Sequence, residues 1–141
     1  MKLDLTSFKK AIESFENSIN VACNDKKMES FDISTQETIK AGVIQNFEFT
    51  YELCWKFIQR WLKENYIKEE AEFPRTRKEL FRLAARASLL EDASVWFKYT
   101  EARNMTSHIY AKEVSETVFN EAVKFIIDAK ILLNNLEQKN D

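Results

Sequence analysis

Glycine and proline are almost missing from this chain, which has one of each, Gly42 and Pro74, in 141 residues. An all-β fold needs turn residues about every ten positions, so that class is excluded. A glycine-rich phosphate loop is excluded too, because neither a P-loop nor a dinucleotide fingerprint can be assembled from one glycine. Cysteine is scarce: Cys23 and Cys54 are too few for a disulfide framework. With a single histidine, no Cys/His cluster is available for zinc, and no motif implies a metal or cofactor. Two sparse cysteines suit a reducing cytoplasmic compartment. No apolar run approaches the length needed to cross a bilayer. Met1-Lys2-Leu3-Asp4-Leu5 alternates polar and apolar residues, unlike a signal peptide. Charge of one sign is lacking as well. The net charge is −2, so any contact with nucleic acid has to be local.

What remains is 45% hydrophobic and 31% charged, the balance of a water-soluble helical protein. The length fits one domain, residues 1–141, with a single sizeable core. Leu5, Phe8, Ile12, Phe15, Ile19 and Ala22 recur at spacings of three and four and predict a helix over residues 4–23. A polar turn follows at 24–27, then an extended connection at 28–32. Ser34-Thr35-Gln36-Glu37 has the pattern of a capping box and opens a long helix reaching about Tyr66. That helix carries two apolar stripes. One is Ile44, Phe47, Tyr51, Cys54, Trp55, Ile58 and Leu62; the other is Phe49, Leu53, Phe57 and Trp61. A helix apolar on two sides needs two partners. The bundle covers one side, and a second copy of the chain is expected on the other, making a homodimer. The plainer alternative is a central helix in a monomer.

Lys68-Glu69-Glu70 reads as a charged connection, and Pro74 fits a helix start. A short helix then opens at Arg75 or Thr76 and carries Leu80, Leu83, Ala84 and Ala87. It is locally basic, with Arg75, Arg77, Lys78, Arg82 and Arg86 against Glu79. These cations form either a solvated face or an anion and RNA contact. Glu91-Asp92 suits the start of a fourth main helix bearing Val95, Trp96, Tyr99 and Ala102. A last helix spans about 113–137, and the tail Gln138-Lys139-Asn140-Asp141 is expected to fray. The fold class is therefore all-α, an antiparallel up-and-down bundle of four main helices plus a short one.

The chemistry concentrates in Arg103-Asn104-Met105-Thr106-Ser107-His108-Ile109-Tyr110, which holds the only histidine. Arginine grips phosphate oxygens with a planar fork, and a histidine with an ordinary pKa of about 6.5 exchanges protons with ribose hydroxyls. On an ideal helix Arg103 and Tyr110 lie about 20° apart, but Arg103 and His108 about 140° apart. Two arrangements bring the last pair together. The helix ends near His108, or two copies meet across a dimer axis and pool their groups. Tyr110 then orients the histidine, binds substrate or is itself modified. The bland alternatives are a capping or core histidine and an Arg103 paired with Glu101 or Glu113.

Arg-Asn-x3-His-x-Tyr at 103–110 resembles the signature of the HEPN superfamily. Ile44-Gln45-Asn46-Phe47-Glu48-Phe49-Thr50-Tyr51-Glu52-Leu53-Cys54-Trp55-Lys56 resembles the long-helix segment of the nucleotidyltransferase substrate-binding proteins and their HepT relatives. Phe73-Pro74-Arg75 and the stretch from Glu91 to Trp96 agree with the same family, so the resemblance covers about residues 5–137. It implies a dimeric helical bundle with the motif near the interface and a minimal nucleotidyltransferase as partner. It implies either a subunit that binds nucleotide or RNA, or a metal-independent RNase toxin. Arg103 and His108 are then catalytic, Asn104 supports them, and Tyr110 accepts AMP or binds substrate. An arginine more often stands where this chain has Asn46.

Overall fold

The computed structural model describes residues 2–67, 69 and 73–140. Lys68 and Glu70, from the expected charged connection, lie outside the described residues, as do Met1, Ala71, Glu72 and Asp141. The described elements are α1 (Thr6–Ala22), α2 (Asp25–Glu29), α3 (Ile33–Asn65), α4 (Arg77–Arg86), α5 (Ala93–Met105) and α6 (Lys112–Gln138), with a 3-10 turn at Thr106–His108 between the last two. No strand occurs among them. The fold is the expected antiparallel helical bundle, in which α1, α3 and α6 pack on one another and α4 and α5 close the side. α3 has 33 residues, a rod of about 50 Å at 1.5 Å per residue, and it touches α1, α4, α5 and α6.

Local chemistry explains the helix starts. Asp32, Thr76 and Asp92 stand before α3, α4 and α5, and their side chains accept from the N–H groups of Thr35, Glu79 and Ser94. The capping-box expectation at Ser34 is thereby corrected, because Asp32 captures the Thr35 amide at 2.8 Å and starts the helix earlier. Pro74 precedes the Thr76 cap rather than occupying the first helical turn. The polar turn and extended connection at 24–32 are corrected too. Asn24 accepts from the Lys27 amide and nucleates α2, and Met28 is buried, which anchors that turn to the bundle. At the other end, Asn140 does not fray. Its side chain takes the Leu3 N–H and gives to the Leu3 carbonyl, both at 2.8 Å, clamping the two ends of the chain together.

The core is aromatic. Phe125 of α6 meets Phe15, Phe47, Tyr51, Trp96 and Tyr99 at ring-centroid distances from 4.8 to 6.3 Å. Rings from α1, α3 and α5 thus converge on one residue of α6, and Phe81 of α4 joins through Tyr51 and Trp96. Of the first stripe of α3, all but the half-buried Trp55 are buried. The second stripe divides. Phe57 stacks on Phe8 of α1 at 5.5 Å and Trp61 is buried, so the bundle itself covers that half. Phe49 stays 53% exposed, with Leu53 half-buried a turn later. No helix of the described residues is long and apolar enough to cross a membrane.

Candidate functional site

The eight-residue motif lies where α5 breaks. Thr106 is buried, and its hydroxyl donates to the Arg103 carbonyl at 2.7 Å while accepting from Arg103 Nη1 at 3.0 Å. One side chain therefore both ends the helix and folds the guanidinium back along it. The chain continues through the 3-10 turn, the Ala111 N–H closes on the His108 carbonyl at 3.2 Å, and α6 begins at Lys112. Because α5 stops at Met105, the ideal-helix alignment of Arg103 with Tyr110 does not hold. α5 ends before His108, as the first of the two arrangements requires, but among the described residues the His108 ring meets Tyr110 while Arg103 turns to α3.

Arg103 reaches neither Glu101 nor Glu113. It points to α3, where Nη1 lies 3.7 Å from Glu48 and Nε lies 3.4 Å from Glu52. Glu48 and Glu52 are one helical turn apart and share a face, so a single arginine spans both. The Nε is shielded from water and makes no aligned hydrogen bond, so its link to Glu52 is electrostatic. These contacts fix the guanidinium through Nη1 and Nε. Glu52 is itself held, accepting from Trp55 Nε1 at 2.9 Å. The Arg77 guanidinium lies 3.4 Å over the Trp55 ring. A continuous row therefore runs Arg77, Trp55, Glu52, Arg103. Distance along the chain hides Glu48 and Glu52, although a Glu pair at four-residue spacing followed by tryptophan is a signal readable on a long helix.

Two tyrosines brace the row from below. The Tyr51 hydroxyl shares a 2.7 Å hydrogen bond with Thr100, one turn before Arg103. Burial pushes the Tyr51 phenol up, with Arg77 pulling the other way. Tyr99 donates to Asp128 of α6, and burial plus that carboxylate push its phenol well above the usual range. Both stay protonated at neutral pH and act as struts.

His108 and Asn104 are exposed, and Tyr110 is 86% exposed. The His108 and Tyr110 rings meet edge to face at 6.2 Å. Beside Tyr110 an open groove of about 530 Å³ runs between α3 and α6, lined among others by Lys40, Ile44, Ile109, Lys112 and Phe119. Asn46 is not part of this site. It accepts from Ser14 of α1 at 3.0 Å and donates to the Gly42 carbonyl at 2.9 Å. Two residues from Glu48, it lies about 160° around an ideal helix from it. An arginine at position 46 would thus start from the α1 side of α3, away from Arg103. Of the five predicted basic residues, Arg77, Lys78 and Arg82 sit over aromatic rings, whereas Arg75 and Arg86 are exposed without such a contact.

Residues 3–138 match the family described as nucleotidyltransferase substrate binding protein like. The chain belongs to that family. This nucleotidyltransferase substrate binding protein-like chain is 35% identical over 142 aligned positions to a probable ribonuclease HepT from Haemophilus influenzae, covering 99% of this chain and 95% of that one. It also superimposes on a solved Haemophilus influenzae protein described as revealing the fold of a substrate binding domain of a nucleotidyltransferase. There the TM-score is 0.90 and the identity 32%, over 96% of this chain and all of that one. A Thermus thermophilus structure shares the fold at a TM-score of 0.68 and 23% identity, over 89% of this chain and 98% of that one. The motif from Arg103 to Tyr110 and the α3 segment that clamps it both fall inside the matched span.

Proposed function

We propose that this chain is the substrate-binding partner subunit of a minimal nucleotidyltransferase, in a two-component module of toxin–antitoxin type. It binds nucleotide or RNA at the Arg103–Tyr110 motif, near the axis of a homodimer. The observation that carries the reading is the presentation of Tyr110. Its ring stands 86% exposed beyond the break in α5, edge to face with the exposed His108. A phenol so displayed is accessible to a second enzyme's active site, and the description of the solved relative supports the same partnership. The test is to incubate the purified chain with its nucleotidyltransferase and ATP and map added mass by peptide sequencing. One AMP on Tyr110, lost in Tyr110→Phe, is expected; AMP elsewhere or none removes Tyr110 as the acceptor.

A second reading is favoured by the state of His108. Its exposed imidazole makes no hydrogen bond among the described residues, as suits a group that must take and return a proton. In this reading the chain is a metal-independent RNase of the HepT type. The ribose 2′-oxygen attacks phosphorus, the bond to the 5′-oxygen breaks, and a 2′,3′-cyclic phosphate forms. One histidine takes the 2′-proton, and the histidine of a second copy protonates the leaving oxygen. The Arg103 guanidinium stabilises the charge building on phosphorus, and Asn104 supports the pair. AMP on Tyr110 then places a bulky anion at the RNA site and silences it. RNA cleavage in the presence of a chelator, abolished by His108→Ala, is expected; cleavage that survives the substitution refutes the assignment.

A further inference from the structure

We infer that the outer face of α4 and α5 is a contact surface for single-stranded RNA that leads the strand to Arg103. The inference rests on the RNA reading of the motif and adds the surface that holds the substrate beyond it.

The surface is built of cations over aromatic rings. Arg77 lies over Trp55 at 3.4 Å, and Lys56 approaches the same ring at 5.7 Å. Lys78 and Arg82, one turn apart on α4, both lie over Phe97 of α5, at 5.6 and 5.2 Å. None of these four cations has an ion-pair partner among the described residues, whereas Lys9, Lys124 and Lys130 elsewhere are each paired with a glutamate. Four cations without an ion-pair partner are thus held over two aromatic rings, in a chain of net charge −2. Alternating cations and aromatic faces are what a single strand uses, the cations for its phosphates and the rings for its bases.

The geometry ties this surface to the motif in two ways. On the α3 side, the row Arg77, Trp55, Glu52, Arg103 is contiguous. On the α5 side, Phe97 and Asn104 are seven residues apart, about 20° around the helix and about 10 Å along it. A strand lying over Phe97 thus arrives at Asn104, the chain neighbour of Arg103. Glu101 is exposed on this same face, between Phe97 and Asn104. It is the one carboxylate of α5 in the path, and its removal should strengthen binding.

The test uses a fluorescein-labelled uridine oligomer, with binding read by anisotropy in a His108→Ala background and cleavage read with His108 intact. In Lys78→Gln/Arg82→Gln, two lost phosphate contacts should flatten the slope of log K against log salt by about 1.4, at about 0.7 each for a single strand. Glu101→Gln should tighten binding. Lys10→Gln/Lys26→Gln, which removes the same charge from exposed positions on α1 and α2, should leave the slope unchanged. Equal effects from both double variants overturn the surface, as does unchanged binding by the α4 variant. If RNA binding is intact but capture of the nucleotidyltransferase is lost in the α4 variant, the face belongs to that protein and the inference falls. Binding that depends on Lys78 and Arg82 without any cleavage leaves the surface standing and removes the RNase reading. Cleavage that ignores both residues does the reverse.

Discussion

Among the described residues, Ser88 is the one at which the backbone departs from what its side chain prefers, with φ at +62°. It follows α4, where the Leu89 N–H returns to the Ala84 carbonyl and the Ser88 N–H to the Ala85 carbonyl. That reciprocal closure requires a left-handed residue, a position usually held by glycine. A left-handed conformation costs a residue with a Cβ about 1–2 kcal/mol. Ser88→Gly is therefore expected to stabilise the fold by about 1 kcal/mol, after subtracting the extra freedom glycine gains in the unfolded chain. Urea titration checks it, and a lower midpoint would contradict the assignment of strain. Arg103 teaches a related lesson at the same scale. Its chemistry was legible from its neighbours in sequence, but its partners Glu48 and Glu52 lie more than fifty positions away. No periodicity within α5 points to them, because they are chosen by how α3 and α5 pack.

The helices were largely readable as elements because apolar spacing and capping are local. Phe8, Ile12, Phe15 and Ile19 trace α1, and the buried Val118, Ala122, Phe125, Ala129, Leu132 and Leu136 trace α6. Their ends shifted by one or two residues where a nearer side chain captured an amide, as Asp32 did ahead of Ser34. α2 escaped notice because five residues carry too short a pattern, and its anchor is one buried methionine. The most consequential local event was the break after Met105. Thr106 satisfies the Arg103 carbonyl and holds the Arg103 guanidinium together, which turns a continuous helical pattern into a corner that displays His108 and Tyr110.

For the whole molecule the open question is the second copy. Phe57 and Trp61 are covered inside the chain, which leaves Phe49 and Leu53 as the uncovered part of the second stripe. These two adjoin Glu48 and Glu52 along α3, so a partner seated there lies next to the Arg103 clamp. Light scattering at micromolar concentration is expected to give a dimer, and Phe49→Asp a monomer of unchanged helicity. A monomeric parent protein would end the idea of a site pooled between two chains. By itself the sequence determined the all-helical class, the bundle and the candidate motif at 103–110, because composition, period and capping act over a few residues. Only the tertiary structure decided which carboxylates hold Arg103, which cations gather over Trp55 and Phe97, and which apolar residues stay uncovered. Those depend on helices far apart in the chain meeting at particular faces, and packing alone selects the faces.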